Sequence, residues 1–115
     1  VVFGGDPAEL DLPGIGPTFE SDPLFPERVN TEFIEVIDDH TLKMRVWERG
    51  SGETLACGTG SCAAVVAAVL NGYCKRGEAI RVILVGGELV IRYTEDGSIF
   101  MTGGAELAFE GSVVI

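Results

Sequence analysis

From Ser61 to Leu70 the chain reads Ser-Cys-Ala-Ala-Val-Val-Ala-Ala-Val-Leu, a run without a charged or amide side chain. A helix over this run is apolar on every side rather than along one stripe, so it must be wrapped by other elements. Asn71-Gly72 supplies a left-handed stop at its C-terminal end. The helix is expected to start after Gly60, and whatever surrounds it has to come from the remaining residues.

Those residues pattern as strands. Val29 to Ile37 alternates with Phe33 and Val36 among β-formers, and the Asp38-Asp39 turn returns through Leu42-Lys43-Met44-Arg45-Val46-Trp47. Strict apolar and charged alternation there predicts a β-hairpin with one buried face. Beyond the helix, Ala79 to Val85, Glu88 to Thr94, Ser98 to Met101 and Ala105 to Ile115 read as strands, punctuated by Gly86-Gly87, Asp96-Gly97 and Gly103-Gly104. Near the start, Val1-Val2-Phe3 reads as strand, and Asp11-Leu12-Pro13 opens a short, glycine-weakened helix to Glu20. Asp22-Pro23-Leu24-Phe25-Pro26 is a rigid connection. The expected architecture is α+β, with strands curled around one buried central helix.

With 115 residues and 46% hydrophobic content, one domain over residues 1–115 is expected. The chain starts at Val1 in what reads as strand, so we expect a piece of a larger design. No apolar run approaches the roughly 20 residues of a membrane span, which favours a soluble protein. A net charge of −10 argues against a nucleic-acid partner. Cys57, Cys62 and Cys74 form no C-x-x-C pair, and His40 sits in a turn far from them in sequence. Neither a metal nor a cofactor is expected, and a reduced, cytoplasmic thiol protein fits best.

The segment Ala56-Cys57-Gly58-Thr59-Gly60-Ser61 sets a thiol just before the helix N-terminus, where unpaired N–H groups and the helix dipole favour negative charge. Such a position can lower the thiol pKa below its reference of about 8.5, and it can receive a substrate carboxylate. A small buried cysteine in a tight turn has the same local sequence. Upstream, Glu48-Arg49-Gly50-Ser51-Gly52-Glu53 offers an arginine suited to clamping a carboxylate and a glutamate suited to an ammonium group, or an ordinary surface pair. Asn30 can be a ligand or a turn former.

These blocks resemble the diaminopimelate epimerases, a PLP-independent family. The likeness rests on Arg28-Val29-Asn30, on Trp47 through Thr54, and on Ala56-Cys57-Gly58-Thr59-Gly60 followed by the Ala/Val-rich helix. It implies one half of a two-domain enzyme whose pseudo-symmetric halves, each a set of antiparallel or mixed strands around a helix, bind substrate in the cleft between them. It further implies an isomerase of lysine and cell-wall precursor biosynthesis that interconverts L,L- and meso-diaminopimelate with two cysteines on opposite faces of the α-carbon. Cys57 resembles the C-terminal member of that pair. Gly58 and Thr59 match donors to the α-carboxylate, and Glu48, Arg49 and Asn30 match positions that hold other substrate polar groups. Cys62 and Cys74 match no catalytic position.

The resemblance covers a C-terminal half, so the expected partners are the missing N-terminal half with the second cysteine, the diaminopimelate substrate, and a second copy in a homodimer. The isolated half is expected to be inactive. Alternatives are another isomerase of the same fold, such as a proline racemase-like or phenazine-biosynthesis-type protein, and a non-catalytic amino-acid-binding fragment. A thiol redox sensor or Cys hydrolase would need His40 or Cys74 within reach of Cys57.

Overall fold

Alternation along one strand decides the layers. A computed structural model describes residues 1–115, and its elements are β1 (Val2–Phe3), α1 (Leu12–Glu20), β2 (Thr31–Asp38), β3 (Thr41–Glu48), β4 (Gly52–Thr54), α2 (Gly58–Leu70), β5 (Ala79–Leu84), β6 (Gly87–Tyr93) and β7 (Ile99–Thr102). On β3, Leu42, Met44 and Val46 are buried together with Ile34, Ile80, Val82 and Ile91, and Ala64, Val65 and Ala68 of α2 close this core. The intervening residues point the other way. There Phe33 meets Phe19 of α1 edge-on, ring centroids 5.3 Å apart, and Gly16 of α1 lies against the Trp47 ring. One helix thus covers each face of the sheet.

The sheet is mixed, ordered β1-β2-β3-β5-β6-β7, with β4 also on β3. β1 runs parallel to β2 and β3 parallel to β5, while the other pairs are antiparallel. The second edge of β3 is shared: Thr41 to Lys43 pair with β5, and Val46 to Glu48 pair with β4. The parallel β3–β5 pair needs a long connection, and α2 lies within it.

Low helix propensity in α1, which contains Pro13, Gly14, Gly16 and Pro17, is offset from outside. Asp11 caps its first turn through the Gly14 N–H at 3.3 Å. Arg45 on β3 donates to the carbonyls of Pro7 and Leu10 at 2.8 Å each and grips Glu53 of β4 at 2.7 and 2.9 Å.

Two expectations need correction. The helix over Ser61 to Leu70 exists, beginning at Gly58, but it is not a buried central helix. Gly60, Ser61, Ala64, Val65 and Ala68 are buried, while Ala63 and Leu70 are exposed and Val66 and Val69 half-buried. Uniform apolarity allows burial all round, yet the sheet covers only one side, and no other element of the chain lies over the rest. Second, Ala105 to Ile115 forms no strand; Leu107, Phe109, Val113 and Val114 are exposed. A strand exists through its ladder, and this segment pairs with none.

Candidate active site

Cys57 is the N-cap of α2. Its Sγ accepts the Gly60 N–H at 3.3 Å, its carbonyl accepts the Ser61 N–H and Oγ at 2.9 and 2.7 Å, and the Thr59 hydroxyl stands 3.7 Å from the sulfur. With the Gly60 and Ser61 donors used on Cys57, the N–H groups of Gly58 and Thr59 are the ones that a helix N-terminus leaves without an intrahelical partner. Thr59 is exposed and Gly58 half-buried. A Cβ on Gly60 would lie 2.6 Å from Glu32 Oε1 and 3.0 Å from Cys57 Sγ, so a side chain there would displace the Glu32 carboxyl.

The thiol does not behave as the helix terminus alone suggests. At 7% exposure Cys57 is taken out of water, and burial pushes its pKa above the ordinary thiol value. The Glu48 carboxylate beside it adds to the rise. The Gly60 N–H and Thr59 hydroxyl pull downward and are outweighed. Cys57 therefore rests as a thiol at neutral pH, correcting the expectation of a lowered pKa.

The remaining predicted residues gather at this end of the sheet. Glu48 closes β3 on the face that carries Met44 and Val46, the α2 side. Arg49 follows in the three-residue connection to β4, where Gly50 takes φ +78, a conformation glycine adopts at no steric cost. Asn30 stands just before β2 and receives the Arg49 backbone N–H on Oδ1 at 2.7 Å, so two sequence-distant candidates are joined directly. The Arg49 guanidinium donates to the Glu27 carbonyl at 3.2 Å. Asn30, Glu48, Arg49, Cys57, Gly58 and Thr59 thus form one cluster along the ends of β2 and β3 and the start of α2.

Two glutamates escaped the sequence reading. Glu32, 5% exposed, reaches under the α2 N-terminus beside Gly60, and burial pushes its pKa up. Glu20, at the end of α1, receives the Trp47 indole and Gly50 N–H groups. Alternation on β2 would have placed Glu32 on the core side with Ile34; nothing local marked Glu20.

His40 lies elsewhere, between Asp39 at 2.6 Å and Glu78 at 2.5 Å. Cys74 shares that region, feeling the charges of Asp38, Asp39 and Glu78. The thirteen residues of α2, about 20 Å of helix, separate this end from Cys57, which removes the redox-sensor and Cys-hydrolase readings. An apolar cleft lined by Val2, Leu10, Ile15, Phe19 and Phe33 lies on the α1 face and contains none of the cluster.

Comparison with known proteins bears on the fold and the family. The phenazine biosynthesis protein of Bacillus anthracis, of the PhzF family, superimposes over 86% of this chain and 32% of its own with a TM-score of 0.58 at 20% identity, a likeness of fold. A diaminopimelate epimerase of Bacillus cereus (strain B4264) is 53% identical over 111 residues, and one of Phocaeicola vulgatus is 54% identical over 114. These alignments take in 96% and 98% of the chain but only 38% and 40% of the two relatives. Since the diaminopimelate epimerase family model also matches residues 1–108, the chain belongs to the diaminopimelate epimerase family.

Proposed function

We propose that the protein carrying this chain interconverts L,L- and meso-diaminopimelate without PLP or a metal, and that Cys57 is one of its two acid/base groups. The observation that carries this reading is the Cys57 sulfur held at the α2 N-terminus, beside Glu48 and next to Gly58 and Thr59, whose N–H groups open the helix. A thiolate on the opposite face removes the α-proton. The electron pair left on the α-carbon is stabilised by the bound carboxylate and the donors around it. Cys57, resting as a thiol, delivers its proton to the near face and becomes thiolate. The reverse direction exchanges the two roles, so atoms and charge balance.

In this proposal Gly58 and Thr59 receive the α-carboxylate, Glu48 faces the ammonium group, and Arg49 and Asn30 address the distal end. The second thiol belongs to an N-terminal half, in keeping with the 38% of the Bacillus cereus relative that this chain spans. Residues 1–115 are then one domain of a two-domain enzyme of lysine and cell-wall precursor synthesis. Its cytoplasmic location suits three free cysteines. No helix is long and apolar enough to cross a membrane. A homodimer of the complete protein is part of the same reading.

The test joins the N-terminal portion of the Bacillus cereus relative to this chain and incubates the fusion with L,L-diaminopimelate in D2O. Conversion to the meso form with deuterium at the α-carbon is expected, abolished in Cys57→Ala. Residues 1–115 alone are expected to exchange nothing. Exchange by the isolated chain would sink the two-thiol mechanism, and undiminished turnover in Cys57→Ala would sink the role of Cys57.

A further inference from the structure

We propose that Glu20 is a positioning residue, which sets the geometry of Arg49 and Asn30 from the far side of the sheet. The proposal rests on the reading above, in which those two residues bind substrate. Glu20 is 9% exposed, and its carboxylate has three donors, two from the end of β3 and its turn and one from the chain leading into β2. Oε1 accepts the Trp47 indole N–H at 2.9 Å, and Oε2 accepts the Gly50 N–H at 2.9 Å and Arg28 Nη1 at 3.0 Å. Gly50 directly follows Arg49. Arg28 stands two residues before Asn30.

Each arm fixes something the binding cluster needs. The Gly50 bond clamps the turn between β3 and β4 one residue beyond Arg49, while Asn30 clamps it at the Arg49 N–H itself. Arg28 has φ +64, a left-handed conformation that is strained for a non-glycine residue and persists only when its surroundings enforce it. Its ion pair with Glu20 is one such constraint, and it orients the chain entering Asn30. The Trp47 arm anchors the carboxylate itself, because the indole is wedged against Gly16 of α1. One carboxylate therefore couples the two strand ends that carry Asn30 and Arg49, without being placed to touch substrate.

A residue that only stabilises the fold and one that positions the binding turn predict different kinetics. In the fusion protein, Glu20→Gln is expected to raise the KM for diaminopimelate about tenfold while kcat stays within about twofold, the pattern of lost uniform binding. A purely structural role would lower the yield of active enzyme at unchanged KM, and that result overturns the proposal. If the glutamine variant does not fold, Glu20→Asp, which keeps the charge and withdraws it by one methylene, is judged by the same criterion. The substrate-free chain gives an independent readout. Trp47 is its sole tryptophan, so the indole N–H and the Gly50 N–H are two assignable resonances, both expected to titrate together with the Glu20 carboxyl. Two resonances that do not move together overturn the proposal whatever the enzyme does. A wild-type fusion that neither binds nor turns over diaminopimelate, with both resonances titrating, instead defeats the functional reading and confines Glu20 to ordering the turn.

Discussion

Glu20 and Glu32 lie on opposite faces of the same sheet, at 9% and 5% exposure, yet their acidities move in opposite directions. Glu20 is held below the usual carboxylate range by the Gly50 N–H first and the Trp47 indole second, with Arg28 assisting against the cost of burial. Glu32 is raised, because burial dominates and Glu48 repels its charge. At Glu20 the donors outweigh burial; at Glu32 burial outweighs everything that opposes it. The contrast divides labour around the candidate site: a donor-held carboxylate behind the Arg49 turn, and a carboxyl whose charge burial penalises beneath the Cys57 turn.

The largest effect is expected where the Glu20 network meets the core. In Gly16→Ala the new methyl would fall inside the Trp47 ring, so the indole must leave Glu20 or α1 must lift. Overpacking of this kind costs about 1–3 kcal/mol, read as a lower urea midpoint, and the Trp47 indole resonance should shift at once. A variant with unchanged midpoint would show that α1 is more loosely docked than the contact implies.

A smaller effect of opposite sign is expected at Glu32. Because its folded-state pKa is raised, Glu32 favours the folded chain at low pH, and that contribution is lost as pH rises from the unfolded value through the folded one. Glu32→Gln should therefore stabilise the chain by about 1 kcal/mol at pH 7, the scale of an undercompensated buried polar group. The advantage should vanish below the reference value of 4.5, where the carboxyl is protonated in both states. Destabilisation at pH 7 would mean that Glu32 has a charged partner.

Glu20 predicts the mirror image and the smallest change. Its folded pKa is depressed, so its contribution is present above the reference value of 4.5 and is lost as pH falls through the folded value. Stability curves of wild type and Glu20→Gln should separate at neutral pH and converge in acid, converging from the side opposite to the Glu32 pair. Parallel curves would place the Glu20 charge outside the folding equilibrium.

Much of this arrangement was legible where the signal is local. The β2–β3 hairpin showed in Leu42 to Trp47, the capped start of α1 in Asp11-Leu12-Pro13, and the stop of α2 in Asn71-Gly72. The residues proposed for the site stood out in the sequence because Glu48, Arg49, Cys57, Gly58 and Thr59 sit in short glycine-bearing blocks and Asn30 opens a strand. Properties that depend on what lies opposite were not. β4 was hidden in a polar stretch, since three residues pair with Val46 to Glu48 only after the turn has closed. Cys57 stands at the helix terminus as its sequence implies, but burial and Glu48, both tertiary facts, turn its pKa upward. Apolar alternation in Ala105 to Ile115 described a strand's composition without the neighbour a ladder requires. Glu20 ended a helix like any other glutamate until Trp47, Gly50 and Arg28 converged on it.

The shared edge of β3 has a consequence for the order in which the site is acquired. Thr41 to Lys43 cannot meet Arg81 to Ile83 until the residues between have been traversed, a long loop closure that is unfavourable until the contacts it enables have formed. Cys57 sits inside that loop. The sheet that buries its sulfur is complete only when the crossover closes. A peptide spanning the glycine-rich turn and α2 should accordingly show an ordinary thiol, and during refolding the rise in the Cys57 pKa should be a late event, a clock for sheet completion rather than for helix formation.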